Sequence, residues 1–108
     1  MITANVGNSR AILVDKFRKV RELTVDHTPR LKVEKKRIEN SGGRIALNES
    51  GDSYRVYKNS KDTVGLPITR SIGDLAAHRV GVTFEPEIKH FNLEENDQIL
   101  ILASGGIW

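Results

Sequence analysis

The sequence predicts an α+β fold built mainly on antiparallel sheet, and three observations carry that prediction. Short apolar runs follow one another along the chain, separated by glycine, asparagine and charged turn residues. A single stretch, residues 28–43, has helix start and stop signals far enough apart for several turns. Residues 98–103, Gln-Ile-Leu-Ile-Leu-Ala, form a nearly unbroken apolar run, the pattern of a strand buried on both faces.

Ile2–Val6 and Arg10–Val14 flank Gly7-Asn8-Ser9. Glycine and asparagine tolerate positive φ, so the segment reads as a hairpin with a short loop. Asp15–Lys19 is a second turn and Val20–Val25 a third strand. Thr28 can cap a helix and Pro29 suits its first position, which predicts a helix from there to about Asn40. Leu31 and Ile38 share one face, and Glu34 and Arg37 are spaced to pair. Ser41-Gly42-Gly43 ends the helix, with glycine as its C-terminal cap. Arg44–Leu47 and Tyr54–Tyr57 form a hairpin around the polar turn Asn48–Ser53. Lys58–Thr63 is a loop, and Gly65–His78 reads as irregular chain followed by a short helix. Glu87–Leu93 places Ile88, Phe91 and Leu93 among polar residues as a strand, and Asp97 leads into the final one.

Composition narrows the function. The 108 residues suffice for one domain, and 38% hydrophobic with 29% charged residues is a globular rather than a disordered balance. The absence of cysteine excludes a disulfide framework, thiol catalysis and any Cys-based zinc or iron–sulfur site. There is no run of 18 apolar residues, so no membrane partner is expected. Met1–Arg10 lacks the charged start, apolar stretch and cleavage pattern of a secretory signal, which predicts an intracellular chain in cytoplasm or nucleus. The net charge of +3 is weak. Its densest cluster, Arg30, Lys32, Lys35, Lys36 and Arg37, is interrupted by Glu34 and has no interleaved aromatics, so it reads as a solvated helix face and no nucleic-acid partner is expected. Burying Ile99, Leu100, Ile101 and Leu102 is worth roughly 1.5–3 kcal/mol each. A strand that apolar needs cover on both faces, yet the chain ends five residues later at Trp108. Residues 1–108 are therefore expected to be part of a larger domain, and the exposed sheet to favour self-association.

Single candidates for chemistry are weak. Asp26-His27 pairs an acid with an imidazole, but neighbours in extended chain point apart. Ser104-Gly105-Gly106 follows a strand, without the lysine of a phosphate loop. Arg70, Asp74 and Arg79 could bind a phosphate or pair with one another. No histidines have ligand spacing, and the acidic clusters Glu85 with Glu87 and Glu94-Glu95 read as surface.

The order of short words says more. Ala4-Asn5-Val6-Gly7-Asn8-Ser9-Arg10-Ala11 is followed by Leu23-Thr24-Val25-Asp26-His27-Thr28-Pro29, then by Glu34, Arg37-Ile38 and Gly42-Gly43. Gly65-Leu66-Pro67-Ile68-Thr69-Arg70-Ser71-Ile72-Gly73-Asp74 comes next, then Glu85-Pro86-Glu87-Ile88, and last Ile101-Leu102-Ala103-Ser104-Gly105-Gly106-Ile107-Trp108. Block by block, this resembles the central part of the metal-dependent protein serine/threonine phosphatases of the protein phosphatase 2C family. The resemblance implies an incomplete αββα sandwich of antiparallel sheets, lacking N-terminal and C-terminal parts. It also implies phosphoprotein as the substrate of the intact family. There, two Mn²⁺ or Mg²⁺ ions share a bridging water whose hydroxide attacks phosphorus.

Two departures fall on the family's metal positions. Where the family has Gly-Asp-Ser, this chain has Gly7-Asn8-Ser9, followed by Arg10; where it has Ser-Asp-Gly, this chain has Ser104-Gly105-Gly106. The resemblance makes the position of Gly105 a ligand of the two-metal centre and that of Asn8 a ligand of an additional, weaker site. Hard cations need carboxylate oxygens, and neither residue offers one. The segment around Arg70, Ser71, Gly73 and Asp74 matches the family and is carried over as architecture. The family's Asp-Gly-His-Gly segment, its phosphate-binding Arg and its later Asp-Asn fall outside the sequence. The expectation is no catalytic residue, no bound metal and no activity from this chain alone. The alternatives are a non-catalytic pseudophosphatase or interaction module, or a gene fragment without function.

Overall fold

The computed structural model describes residues 1–58 and 65–108, so most of the loop expected at Lys58–Thr63 lies outside the described residues. The chain forms two compact units. Met1–Asp26 and Pro86–Trp108 make the terminal unit, and His27–Glu85 the central unit.

The terminal unit contains β1 (Ile2–Asn5), β2 (Arg10–Asp15), β3 (Val20–Glu22), β6 (Glu87–His90) and β7 (Asp97–Ala103). β1 and β2 do not form the expected hairpin. β1 pairs antiparallel with β6, Ile2 opposite His90 and Asn5 opposite Glu87. β2 is the middle strand of an antiparallel β3-β2-β7 sheet. Gly7, at φ 106°, turns the chain between β1 and β2. The buried amide of Asn5 donates to the Gly7 and Val25 carbonyls, fixing that turn from inside. Both edges of β2 are then taken by β3 and β7. β3 ends three residues earlier than expected because its ladder passes to a side chain: Leu23 N–H still donates to the Ala11 carbonyl, but Ala11 N–H donates to Thr24 Oγ1. The turn at 15–19 forms as expected, with Asp15 Oδ1 accepting from the Phe17 and Lys19 amides. Ala11, Leu13 and Leu23 form the core, with Met1 and Phe91 packed against it.

β7 departs furthest from expectation. Its register on β2 runs from Arg10 opposite Ala103 to Asp15 opposite Asp97, but its apolar side chains are not buried. Ile99 is 53% and Leu102 70% exposed, and Leu100 and Ile101 are exposed as well. Successive residues point to opposite faces, so both faces are open. Among the described residues β7 pairs with β2 alone and forms the edge of its sheet.

The central unit contains α1 (Lys32–Asn40), β4 (Arg44–Leu47), β5 (Tyr54–Tyr57) and α2 (Leu75–His78). α1 begins later than the Thr28-Pro29 signal suggests. Leu31 N–H donates to the Thr28 carbonyl, so that signal makes a separate turn, and extended Leu31 takes the cap position with no side-chain cap bond. The helix ends as expected: Gly42 is left-handed at φ 80°, and Gly43 N–H returns to the Ile38 carbonyl at 3.0 Å. A Cβ on Gly43 would lie 2.6 Å from the Val80 carbonyl oxygen, so glycine there also permits close packing. β4 and β5 form the expected hairpin, with Asn48 Oδ1 accepting from the amides of Asp52 and Ser53 in the turn. Ile38, Val56, Val80 and Val82 make the core, joined by Ile45, Leu66 and Ala77. The fold is α+β with antiparallel sheets and few helices. No helix among the described residues is long and apolar enough to cross a membrane.

Candidate functional site

The antiparallel register decides which sequence words meet. With Arg10 opposite Ala103, the turn that precedes β2 and the segment that follows β7 lie at the same end of the sheet. Asn8 and Gly105 are therefore neighbours: a Cβ built on Gly105 would stand 3.1 Å from Asn8 Nδ2. Ser9, Arg10 and Ser104 belong to the same end and line a cleft of about 570 Å³ with Thr3, Asn5 and Leu102.

Arg10 organises this end. Its Nε and Nη2 donate to the two carboxylate oxygens of Asp26 at 3.0 and 2.8 Å, a bidentate pair. Its guanidinium also lies 5.2 Å from the centre of the Trp108 ring. The Asp26 hydrogen bonds raise the Arg10 pKa, with desolvation opposing them. Trp108 Nε1 donates to the Ala103 carbonyl at 2.9 Å, and Ile107 N–H to the Ser104 carbonyl, so the segment after β7 is folded back as a turn. Gly7 is buried beneath this end, and Gly106 has open space where a side chain would stand.

The donor set does not fit a divalent-cation centre. Asn8 supplies a neutral amide and Gly105 no side chain. Asp26, the nearby carboxylate, is engaged on both oxygens by Arg10. No three His, Asp or Glu residues among the described residues are grouped to hold a metal. Asp26 and His27 fall in different units. Asp26 turns to Arg10, whereas His27 is fully buried in the central unit, its carbonyl accepting from Thr69 N–H.

The central unit holds a second cluster that sequence reasoning misread. Glu34 is not on a solvated helix face; it is fully buried. Arg37 Nη1 and Nη2 each donate to it at 2.8 Å, Arg70 Nη2 at 2.8 Å, and Thr69 Oγ1 at 2.7 Å. Arg37 reaches on to the Gly81 and Thr69 carbonyls, and Arg70 to the Glu85 carbonyl. Arg70 is thus ion-paired with buried Glu34. Desolvation pushes the Glu34 carboxyl up, but its hydrogen bonds from Arg37, Arg70 and Thr69 outweigh that and hold it at about 2. The signal was present in the sequence: Glu34 and Ile38, four residues apart, share one face of α1. Ser71 is buried, its carbonyl 3.2 Å from His78 Nε2. Gly73 and Asp74 are both left-handed, at φ 94° and 41°, and turn the chain into α2.

Comparison with known proteins bears on the whole chain. The family model described as protein phosphatase 2C matches residues 1–108. Protein phosphatase 1K, mitochondrial, of Xenopus laevis is 41% identical over 108 residues, covering 99% of this chain and 27% of that protein. Probable protein phosphatase 2C 73 of Oryza sativa subsp. japonica is 37% identical over 113 residues, covering all of this chain and 27% of that one. Among solved structures, a sex determining protein of C. elegans matches with a TM-score of 0.82 and 29% identity, over 98% of this chain and 24% of that chain. A serine-threonine phosphatase 2C from Toxoplasma gondii matches in fold with a TM-score of 0.84 at 23% identity, over 99% of this chain and 38% of that one. The chain spans 27% of the length of each of these two curated relatives.

Proposed function

The chain belongs to the protein phosphatase 2C family, and from that premise we propose that residues 1–108 are the central portion of a protein serine/threonine phosphatase domain that does not hydrolyse phosphoprotein by itself. The observation that carries the reading is the meeting of Asn8 and Gly105. Both stand where the family's motifs have aspartate, and side by side they bring no carboxylate. The exposed apolar faces of β7 support the partial-domain reading, because such a strand is stable only when covered. The family is metal-dependent and acts on phosphoproteins; this chain contributes the framework of one end of that site. Arg10 and Asp26 hold the segment after β7 in place, and the Glu34 cluster fixes the segment around Arg70.

The test is hydrolysis of a phenyl phosphate ester and of a phosphoserine peptide by the purified chain with Mn²⁺ or Mg²⁺. No turnover above a buffer blank is expected. Metal-dependent turnover abolished by EDTA would overturn the reading.

A second expectation concerns β7. Its open edge carries no Lys, Arg or Pro between Asp97 and Ala103, the residues that ordinarily blunt strand edges. The isolated chain is expected to self-associate, eluting earlier in gel filtration as concentration rises. Leu102→Lys should move the peak toward the monomer. A monomer peak unaffected by concentration or by the substitution would remove β7 as an association surface.

A further inference from the structure

In the sequence, the basic stretch around α1 is diluted by Glu34. The structure removes that dilution. Glu34 is fully buried, and its charge is met from within by Arg37 and Arg70. What stays outward on α1 and just before it is Arg30, Lys32, Lys35 and Lys36, all exposed, with Glu39 as the acidic residue on the same helix. Glu39 is engaged by Lys35 at 3.8 Å. Among the described residues Lys32 and Lys36 form no ion pair, and the Arg30 guanidinium lies 5.9 Å from the centre of the Tyr54 ring. Lys32 and Lys36 are one turn apart, where like charges destabilise a helix. The face is therefore more positive than its sequence suggests, and it is built at some expense to α1.

We propose that the outward face of α1 is a docking surface for an extended, acidic protein segment, with carboxylates at alternate positions meeting Lys32 and Lys36. Charge complementarity sets the sign of the partner, and spacing sets its form. Side chains one turn apart on a helix stand about 5–6 Å from each other. Alternate residues of an extended chain repeat about every 6.6–6.8 Å, so two carboxylates two residues apart fit two lysines four residues apart. Other anionic partners fit less well. A membrane surface needs large apolar anchors, and the apolar side chain that α1 exposes is Val33, at 72%. Single-stranded nucleic acid needs open aromatic platforms, and the ring beside this face, Tyr54, has the Arg30 guanidinium against it. The inference is independent of any reading of Asn8 and Gly105.

The experiment measures fluorescence anisotropy of a labelled twelve-residue peptide of alternating glutamate and threonine, titrated with the 108-residue chain in about 0.15 M salt. Three proteins are compared: the unaltered chain, Lys32→Glu/Lys36→Glu, and Lys16→Glu/Lys19→Glu. The last pair makes the same change in net charge at the exposed turn between β2 and β3. The unaltered chain should bind, the α1 pair should weaken binding at least about tenfold, and the turn pair should leave it within about twofold. Lys32→Gln/Lys36→Gln removes the charges without reversing them. It should weaken binding less, and it keeps the comparison valid if the reversed pair unfolds the chain. No binding by the unaltered chain would overturn the proposal. So would equal losses from the α1 and turn pairs, which would reduce the effect to net charge. Tighter binding to phosphatidylserine vesicles or to a 20-nucleotide single strand than to the peptide would overturn the choice of partner.

Discussion

Replacing Glu34 by alanine is expected to cost the central unit about 3–5 kcal/mol, the usual cost of removing one partner from a buried ion cluster. That is a large share of the 5–15 kcal/mol that holds a typical domain together. The carboxylate is fully buried, and without it the guanidinium groups of Arg37 and Arg70 face each other with no anion between them. Glu34→Gln keeps the shape and the Thr69 contact but loses the charge, and should fall between alanine and the native residue. The cluster also fixes a pH dependence. The carboxyl lies at about 2 in the folded chain against an ordinary 4.5. The folded value is the lower one, so the stabilisation is complete above about pH 4.5 and is lost as pH falls from there toward 2. The difference is worth roughly 3 kcal/mol. Urea unfolding followed by far-ultraviolet circular dichroism, repeated at several pH values, tests both points. A Glu34→Ala midpoint equal to that of the native chain would refute the structural role, and a Glu34→Gln variant with the native acid dependence would refute its source.

Grafting residues 1–108 into a full-length relative in place of the matching segment is expected to lower phosphatase activity by about a thousandfold or more. Losing a carboxylate that anchors a catalytic cation removes several kcal/mol of transition-state stabilisation, and each 1.36 kcal/mol is tenfold in rate. Gly105→Asp in the hybrid should recover most of that loss, because the relative supplies the remaining acidic residues. Asn8→Asp should add a smaller increment, in keeping with a weaker site. The same two substitutions in the 108-residue chain should give no activity, since one or two carboxylates cannot hold two cations. A hybrid as active before repair as after Gly105→Asp would show that position 105 is not a metal position.

Local chemistry was legible in the sequence and long-range pairing was not. Gly42-Gly43 marked the end of α1, and Asn48–Ser53 marked the β4–β5 turn, because caps and tight turns are decided within a few residues. The segment Gly7-Asn8-Ser9 marked a change of direction equally well, yet β1 and β2 joined different sheets. A turn says that the chain bends and not which strand it will pair with. Ile99–Leu102 showed that β7 is apolar on both faces, but composition does not say whether the covering residues are present. At the candidate site, Asn8 and Gly105 were each visible as departures from a motif; that they lie side by side follows only from the Arg10–Ala103 register. Glu34 was readable as a helix residue spaced to pair with Arg37. Its burial depended on Thr69 and Arg70, far along the chain, closing over it.

The division into units has a consequence for the time course of folding. The central unit is one continuous stretch of chain, His27–Glu85, so it can form while the chain is still being made. β1 and β2 must wait for β6 and β7, which are synthesised after that stretch. At about 5–20 residues per second the interval lasts several seconds. Closing so long a loop carries an entropy cost that short-range hairpins avoid, and sheets with such distant partners assemble slowly. During that interval β2 has β3 on one side and a bare edge on the other. A chaperone or any extended apolar peptide then competes with β7 for the place beside Ala11 and Leu13.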